Sequence, residues 1–332
     1  MLINYLSKPR KHPSSNGSIS FPGFIKPFKI FPRTIYSGSG QKSCSSLKTA
    51  LPKLERSEKK KGSRPEFFPK VSAKAWIVYD QGTQSVVLGR KQYAKREIAS
   101  ITKVMTCVVA IEELIRSKKD IEELVEISLA AGSVKGTTAG LASKDQLRLI
   151  DLFFALMLPS GNDAAIALSE YFGKLIQPHQ EEEEGSDKAK FINKMNEKAQ
   201  SLGMKDTHFT NPHGMSTSVN VSTAYDLAIL CEHALKIPLF KEVVSCSEYS
   251  CEVVARKKGV RKVVWKNTNK MLGKGFYGVK TGFTPVAGPC LSCAIGNFVM
   301  VLLGCESRHD RWKDSLELFE FVKKRGSIDM NA

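Results

Sequence analysis

The chain has 332 residues, 42% of them apolar, with 50 Lys/Arg against 33 Asp/Glu and a net charge of +17. That length holds one large domain or two small ones, and the apolar content is ordinary for a globular protein. The basicity is local: residues 1–70 carry 15 Lys/Arg and 3 Asp/Glu, a net of +12, leaving 35 minus 30, or +5, for the rest. A duplex binder needs a basic stripe on its folded part, so no nucleic-acid partner is expected.

The first 54 residues contain no acid, nine Lys/Arg and ten Ser. No apolar run there reaches the roughly 7–15 residues of a secretory core, so no signal peptide is expected. A basic, Ser-rich, acid-poor stretch fits an organellar transit peptide and equally a disordered tail. An organellar or cytosolic location is expected. Residues 1–69 read as this extension, ending in Arg64-Pro65 and Phe68-Pro69, and 70–325 as the catalytic domain. No later run approaches the roughly 18–20 apolar residues of a transmembrane helix.

Folded structure is expected from about Ser72. Ala75–Tyr79 and Ser85–Leu88 read as a hairpin around Asp80-Gln81-Gly82. A helix is expected from about Ser100 to Ser117, then an irregular stretch from Val125 to Leu141. Asp145 opens a helix with a wide apolar face that Pro159 ends; Asp163 starts another, to about Ile176. Glu181–Glu184 reads as a solvated insertion. Helices near 188–202 and 222–236 precede strands at Cys251–Ala255, Arg261–Trp265, Gly278–Thr281, Cys290–Ala294 and Phe298–Gly304. A final helix is expected from Asp310 to Lys324. Strands at both ends with helices between predict an α/β (α+β) fold, its first hairpin joining the last three strands in a mostly antiparallel sheet.

Eight cysteines are scattered at 44, 107, 231, 246, 251, 290, 293 and 305. Cys290-Leu291-Ser292-Cys293 is a lone CxxC without the second pair or spaced histidines of a zinc site. On a strand, that odd offset points the two thiols to opposite faces. Buried reduced thiols are expected, with no metal and no cofactor.

Three short words stand in order: Ser100-Ile101-Thr102-Lys103, Ser160-Gly161-Asn162 and Lys280-Thr281-Gly282. Ser57-Glu58-Lys59-Lys60 also fits the first, and Ser14-Ser15-Asn16 and Ser218-Val219-Asn220 the second. Context favours Ser100, because the apolar run from Val104 to Ile115 suits a buried helix, whereas Ser57 sits among lysines.

Each word carries chemistry. Positions i and i+3 of a helix share a face, so Ser100 and Lys103 can touch. Serine is a poor nucleophile until a base takes its proton, and a lysine is a base only where burial or a second cation disfavours its ammonium form. Lys280 is the candidate for that cation. Ser100 at a helix start can also offer its backbone N–H to an oxyanion. Between two helices, Ser160 can relay a proton and Asn162 can bind the acyl side. At a strand end, Lys280 and Thr281 can hold a carboxylate, and Gly282 removes a side chain beside which a substrate would pass. His213, in an Asn-Pro-His-Gly turn, reads as structural.

At these residues the chain resembles the serine D-alanyl-D-alanine carboxypeptidases, the low-molecular-mass penicillin-binding proteins. The likeness runs from about residue 70 to 325. It includes Ile98–Thr106, Leu158–Ala165, Phe209–Met215, Ser222–Ala228, Asn267–Lys270 and Gly278–Thr284. The resemblance implies the β-lactamase/transpeptidase-like fold with a helical subdomain, and a peptide ending in D-Ala-D-Ala as substrate. Catalysis would fall to Ser100, Lys103 and Ser160. Substrate binding would fall to Asn162, Lys280, Thr281, Gly282, Phe283 and Arg308, with the oxyanion between the N–H groups of Ser100 and Phe283. β-Lactams would acylate the same serine. Two other readings stay open: a β-lactamase, for which no Glu-x-x-Leu-Asn segment lies between Ser160 and Lys280, and a non-catalytic scaffold of the same fold.

Overall fold

The run Ala75–Tyr79 is apolar without alternation, and its position explains why: in the computed structural model it is a strand covered on both faces. The structure describes residues 68–177, 185–255 and 259–325, all within one unit, Arg64–Ala332. The expected extension up to position 67, the Ser57 and Ser14 words and the Glu181–Glu184 insertion lie outside the described residues.

In chain order the first strands are β1 (Ala75–Asp80), β2 (Ser85–Arg90), β3 (Arg96–Glu97), β4 (Leu124–Glu126) and β5 (Gln146–Arg148). Then come β6 (Val221–Ser222), β7 (Glu248–Ala255), β8 (Gly259–Lys266), β9 (Tyr277–Thr284), β10 (Gly288–Ile295) and β11 (Phe298–Leu303). The helices are α1 (Lys103–Arg116), α2 (Leu129–Gly132), α3 (Leu149–Met157) and α4 (Asn162–Gly173). They continue as α5 (Asp187–Ser201), α6 (Ala224–Leu235), α7 (Pro238–Ser245) and α8 (Asp310–Lys324).

The main sheet is antiparallel with the order β2-β1-β11-β10-β9, so the first hairpin does join the last three strands. Trp76 and Val78 face one side, where Met300, Leu302 and the α8 residues Trp312, Leu318 and Val322 complete a core. On the other side α6 packs against β1 and β11, bringing Tyr225 edge-on to Tyr79. The start of the described chain is fastened to α8 by Asp314, which accepts from the Ser72 and Ala73 backbone N–H groups and from the Ser72 hydroxyl.

Helix α1 is buried nearly all round, among α3, α4, α5, α6 and α7. That burial matches its apolar composition. It begins later than expected. A 3₁₀ turn, Ala99–Thr102, precedes it and carries Ser100. The stretch expected to be irregular contains β4 and α2. Asp145 opens a three-residue strand rather than a helix, and α3 starts at Leu149.

A second sheet, β4-β5-β7-β8, stands apart. Its two hairpins meet through one residue pair, Gln146 and Val254. Tyr249 of β7 stacks on Phe154 of α3, and the Trp265 indole of β8 donates to the Ala139 carbonyl. The edge strand β9 of the main sheet faces the Ala99–Thr102 turn. The catalytic candidates gather at this junction. Among the described residues no helix is long and apolar enough to cross a membrane.

Candidate active site

Ser100 and Lys103 touch across one turn, Nζ to Oγ 3.0 Å. Two further acceptors surround the same nitrogen, Asn162 Oδ1 at 2.7 Å and the His213 carbonyl at 2.9 Å. Asn162 is fixed in this orientation because its Nδ2 donates to the Lys135 carbonyl at 2.7 Å. Two N–H bonds of Lys103 are thus committed to acceptors that cannot donate back. A neutral amine has one lone pair left, and the neighbour placed to fill it is the Ser100 hydroxyl.

Electrostatics favour that neutral form. Lys103 is fully buried, and burial is the largest cause holding its ammonium well below the usual lysine range; the charge of Lys280 adds to this, while Asp163 opposes it. Lys280 is itself buried and is pushed down to about 7 by burial and by Arg311. Among the described residues its ammonium hydrogen-bonds only the Thr281 carbonyl, at 3.2 Å.

The nucleophile turn is seated by two glycines. A Cβ on Gly282 would lie 2.9 Å from the Ile98 carbonyl and 3.1 Å from the Ala99 Cβ. A Cβ on Gly214, whose φ is +83°, would collide with the Ala99 carbonyl. The missing side chain at Gly282 thus admits the turn that bears Ser100. Ala99 (φ +49°) and Ser160 (φ +66°) are non-glycine residues in the left-handed region. Such positions cost about 1–3 kcal/mol each and persist where the surroundings over-determine them.

A cleft of about 400 Å³ opens above Ser100. Ser160, Thr281, Gly282, Phe283 and Arg308 line it. Ser160 Oγ is buried and has no hydrogen-bond partner among the described residues. Arg308 lies over the Phe283 ring, 4.2 Å from its centroid. Two expected contacts are placed elsewhere. Asn162 is buried and outside the cleft lining, its Oδ1 accepting from Lys103 and its Nδ2 donating to the Lys135 carbonyl. Lys280 lies beneath Thr281, outside the cleft lining.

Other wall residues escaped the sequence reading. Thr137 and Gly136 come from the irregular stretch; Thr137 Oγ1 donates to the Ser160 carbonyl at 2.6 Å, and Asn162 N–H donates to the Thr137 carbonyl. Asp163 holds this segment down by accepting from the backbone of Ala139 and Leu141 and from Thr138 Oγ1. Arg311 also lines the cleft and donates to the carbonyls of Gly282 and Cys290. Thr268, within the Asn267–Lys270 segment of the family likeness but given no task there, lines it too. His213 contributes its carbonyl to Lys103. Its ring nitrogen Nδ1 accepts from the Met215 N–H, and burial, then the charge of Lys103, push the ring down to about 4.

Cys290 and Cys293 are both buried free thiols on β10. Among the described residues no group of three or more His, Cys, Asp or Glu side chains could hold a metal ion. The arrangement offers a hydroxyl beside a depressed amine, a second unpaired hydroxyl, and cations around an open cleft. These are the parts of acyl transfer through a serine ester.

Comparison with known proteins agrees. The sequence profile of Peptidase S11, described as D-alanyl-D-alanine carboxypeptidase, matches residues 59–299. The D-alanyl-D-alanine carboxypeptidase of Streptomyces sp. strain K15 is 32% identical over 230 residues, 67% of this chain and 76% of the relative. The D-alanyl-D-alanine carboxypeptidase DacF of Bacillus subtilis is 29% identical over 256 residues, covering 75% of this chain but 62% of the relative's length. The crystal structure of the Streptomyces K15 DD-transpeptidase superposes with a TM-score of 0.68 at 30% identity, covering 76% of this chain and 97% of that one. With its three words brought to one cleft on this fold, the chain belongs to the D-alanyl-D-alanine carboxypeptidase family, Peptidase S11.

Proposed function

We propose that this protein is a penicillin-sensitive serine D-alanyl-D-alanine carboxypeptidase, releasing the terminal D-alanine of peptidoglycan-like peptides through an acyl-enzyme on Ser100. The observation that carries the reading is the Lys103 amine site, where two fixed acceptors leave the third direction to Ser100 Oγ. Ser100 Oγ attacks the carbonyl between the two D-alanines as its proton passes to Lys103 Nζ. The backbone N–H groups of Ser100 and Phe283 receive the oxyanion. The proton reaches the leaving amine through Ser160, whose hydroxyl is otherwise unpartnered. The C–N bond breaks, D-alanine departs and a serine ester remains. Water, deprotonated by Lys103, then cleaves the ester, freeing the shortened peptide and restoring the Ser100 hydroxyl.

The departing carboxylate is held by the Thr281 hydroxyl, with Lys280 supplying charge from beneath and Arg308 from the rim. β-Lactams enter as carbonyl compounds with a carboxylate at the matching place and acylate Ser100. An amine can replace water as acyl acceptor. That second outcome is favoured by the K15 relative, which is named both a carboxypeptidase and a DD-transpeptidase.

The test is D-alanine release from diacetyl-L-Lys-D-Ala-D-Ala, with and without glycine as acceptor. Release by the wild type and none by Ser100→Ala is expected. No release by the wild type, or equal release by Ser100→Ala, contradicts the proposal.

A further inference from the structure

Thr268 lies in the cleft wall outside all three words. Its Oγ1 is 2.8 Å from Thr281 Oγ1. Its backbone N–H donates to the Leu158 carbonyl at 3.1 Å, two residues before Ser160. Thr268 therefore ties the second word to the third. The segment around it is rigidly built. Asn267 Nδ2 donates to the carbonyls of Val244 and Cys246, the Asn267 N–H donates to Ser247, and Asn267 Oδ1 accepts from the Asn269 N–H. So much fixation leaves Thr268 little freedom to turn from its partner.

We infer that Thr268 is a positioning residue for carboxylate recognition, keeping the Thr281 hydroxyl proton aimed into the cleft. This rests on the reading that Thr281 meets the substrate carboxylate. A hydroxyl carries one proton and two lone pairs. If Thr281 spends its proton on a neighbour, it presents lone pairs to an anion and repels it. Either hydroxyl of the pair can donate to the other; in the direction inferred, Thr268 donates to Thr281, the Thr281 proton is free for the carboxylate, and two hydroxyls in series polarise one another. Such a pair serves an anion specifically. A neutral ester at the same place gains much less.

The test compares second-order rates of Ser100 acylation by benzylpenicillin and by its methyl ester, followed by intact-protein mass. The wild type favours the acid. In Thr268→Val, a near-isostere without the hydroxyl, the acid-to-ester ratio falls roughly fivefold, as expected for one neutral hydrogen bond. Thr268→Ser restores it. Thr268→Ala replaces the valine variant if that one fails to fold. A ratio unchanged in Thr268→Val, whether both rates fall together or neither does, overturns the inference and leaves Thr268 a structural residue. If Thr281→Val also leaves the ratio unchanged, or the wild type does not favour the acid, the underlying carboxylate reading fails, and the inference falls with it.

Discussion

Three carboxylates outside the cleft are buried with full sets of donors. Asp314 accepts three hydrogen bonds from Ser72 and Ala73, and Asp163 pins the Thr138–Leu141 segment. Asp151 takes a two-pronged contact from Arg148 and a third from the Tyr249 hydroxyl. Below the cleft, two lysines are buried as deeply and treated in the opposite way. Among the described residues Lys103 meets only neutral acceptors, and Lys280 only one carbonyl. A buried charge that builds the fold is satisfied, because an unpaired one is costly. A buried amine meant to take a proton has to be left without a counter-charge in contact, since a carboxylate beside it would hold it as ammonium. Stability is given up in one region so that it can do chemistry.

The contrast can be broken most sharply at Lys103. In Lys103→Met, acylation by penicillin falls about 10²–10⁴-fold, the usual contribution of a general base, and the melting temperature does not drop. A variant that unfolds, or that acylates at the wild-type rate, breaks the comparison. The opposite behaviour is expected at Asp163. Its replacement by alanine orphans several buried donors and costs about 3 kcal/mol or more in chemical denaturation; a loss near zero shows that its hydrogen bonds do not hold the cleft wall.

Lys280 lies between these extremes. Lys280→Met removes an unpaired buried ammonium, so the fold gains about 0.5–2 kcal/mol while acylation by carboxylate-bearing substrates weakens. Its pH dependence has a definite sign. The folded-state value near 7 lies below the unfolded value of about 10.4, so the folded protein binds fewer protons between them. The penalty is full below pH 7 and is relieved as pH rises toward 10. Wild-type stability therefore climbs across that window relative to Lys280→Met.

The smallest effect sharpens the same point. kcat/KM rises with pH as Lys103 loses its proton and falls as Lys280 loses its charge, near 7. Arg311 is, after burial, the cause of the Lys280 depression. Arg311→Gln therefore moves the falling limb upward, by about one pH unit or less. A downward shift contradicts the assignment of that limb to Lys280.

What was legible in the sequence divides along similar lines. The Ser100–Lys103 contact follows from i, i+3 spacing, and the joining of β1 to β11 from two strands apolar throughout. The final helix, Asp310–Lys324, has the expected bounds. The 3₁₀ turn at Ser100 was not legible, because the room for it is left by Gly214 and Gly282, at distant positions. Asn162 was found, but its partners, Lys103 and the Lys135 carbonyl, were not legible, since they meet it only in three dimensions. Thr137 and Arg311 sit in stretches without periodicity or motif to mark them, and Thr268 was marked only as part of the Asn267–Lys270 likeness, with no task assigned to it. Strands β4 and β5, three residues each, are too short for a pattern. Helix α7 was missed although Pro238 at its first position was an available signal.

The central claim is that the Ser100 hydroxyl becomes a nucleophile through Lys103. The most direct measurement is intact and peptide-level mass spectrometry of the full chain after exposure to benzylpenicillin. One penicillin mass is expected on the peptide containing Ser100, and none in Ser100→Ala or, on the same timescale, in Lys103→Met. A wild type that gains no mass, or a Ser100→Ala variant that still does, contradicts the account.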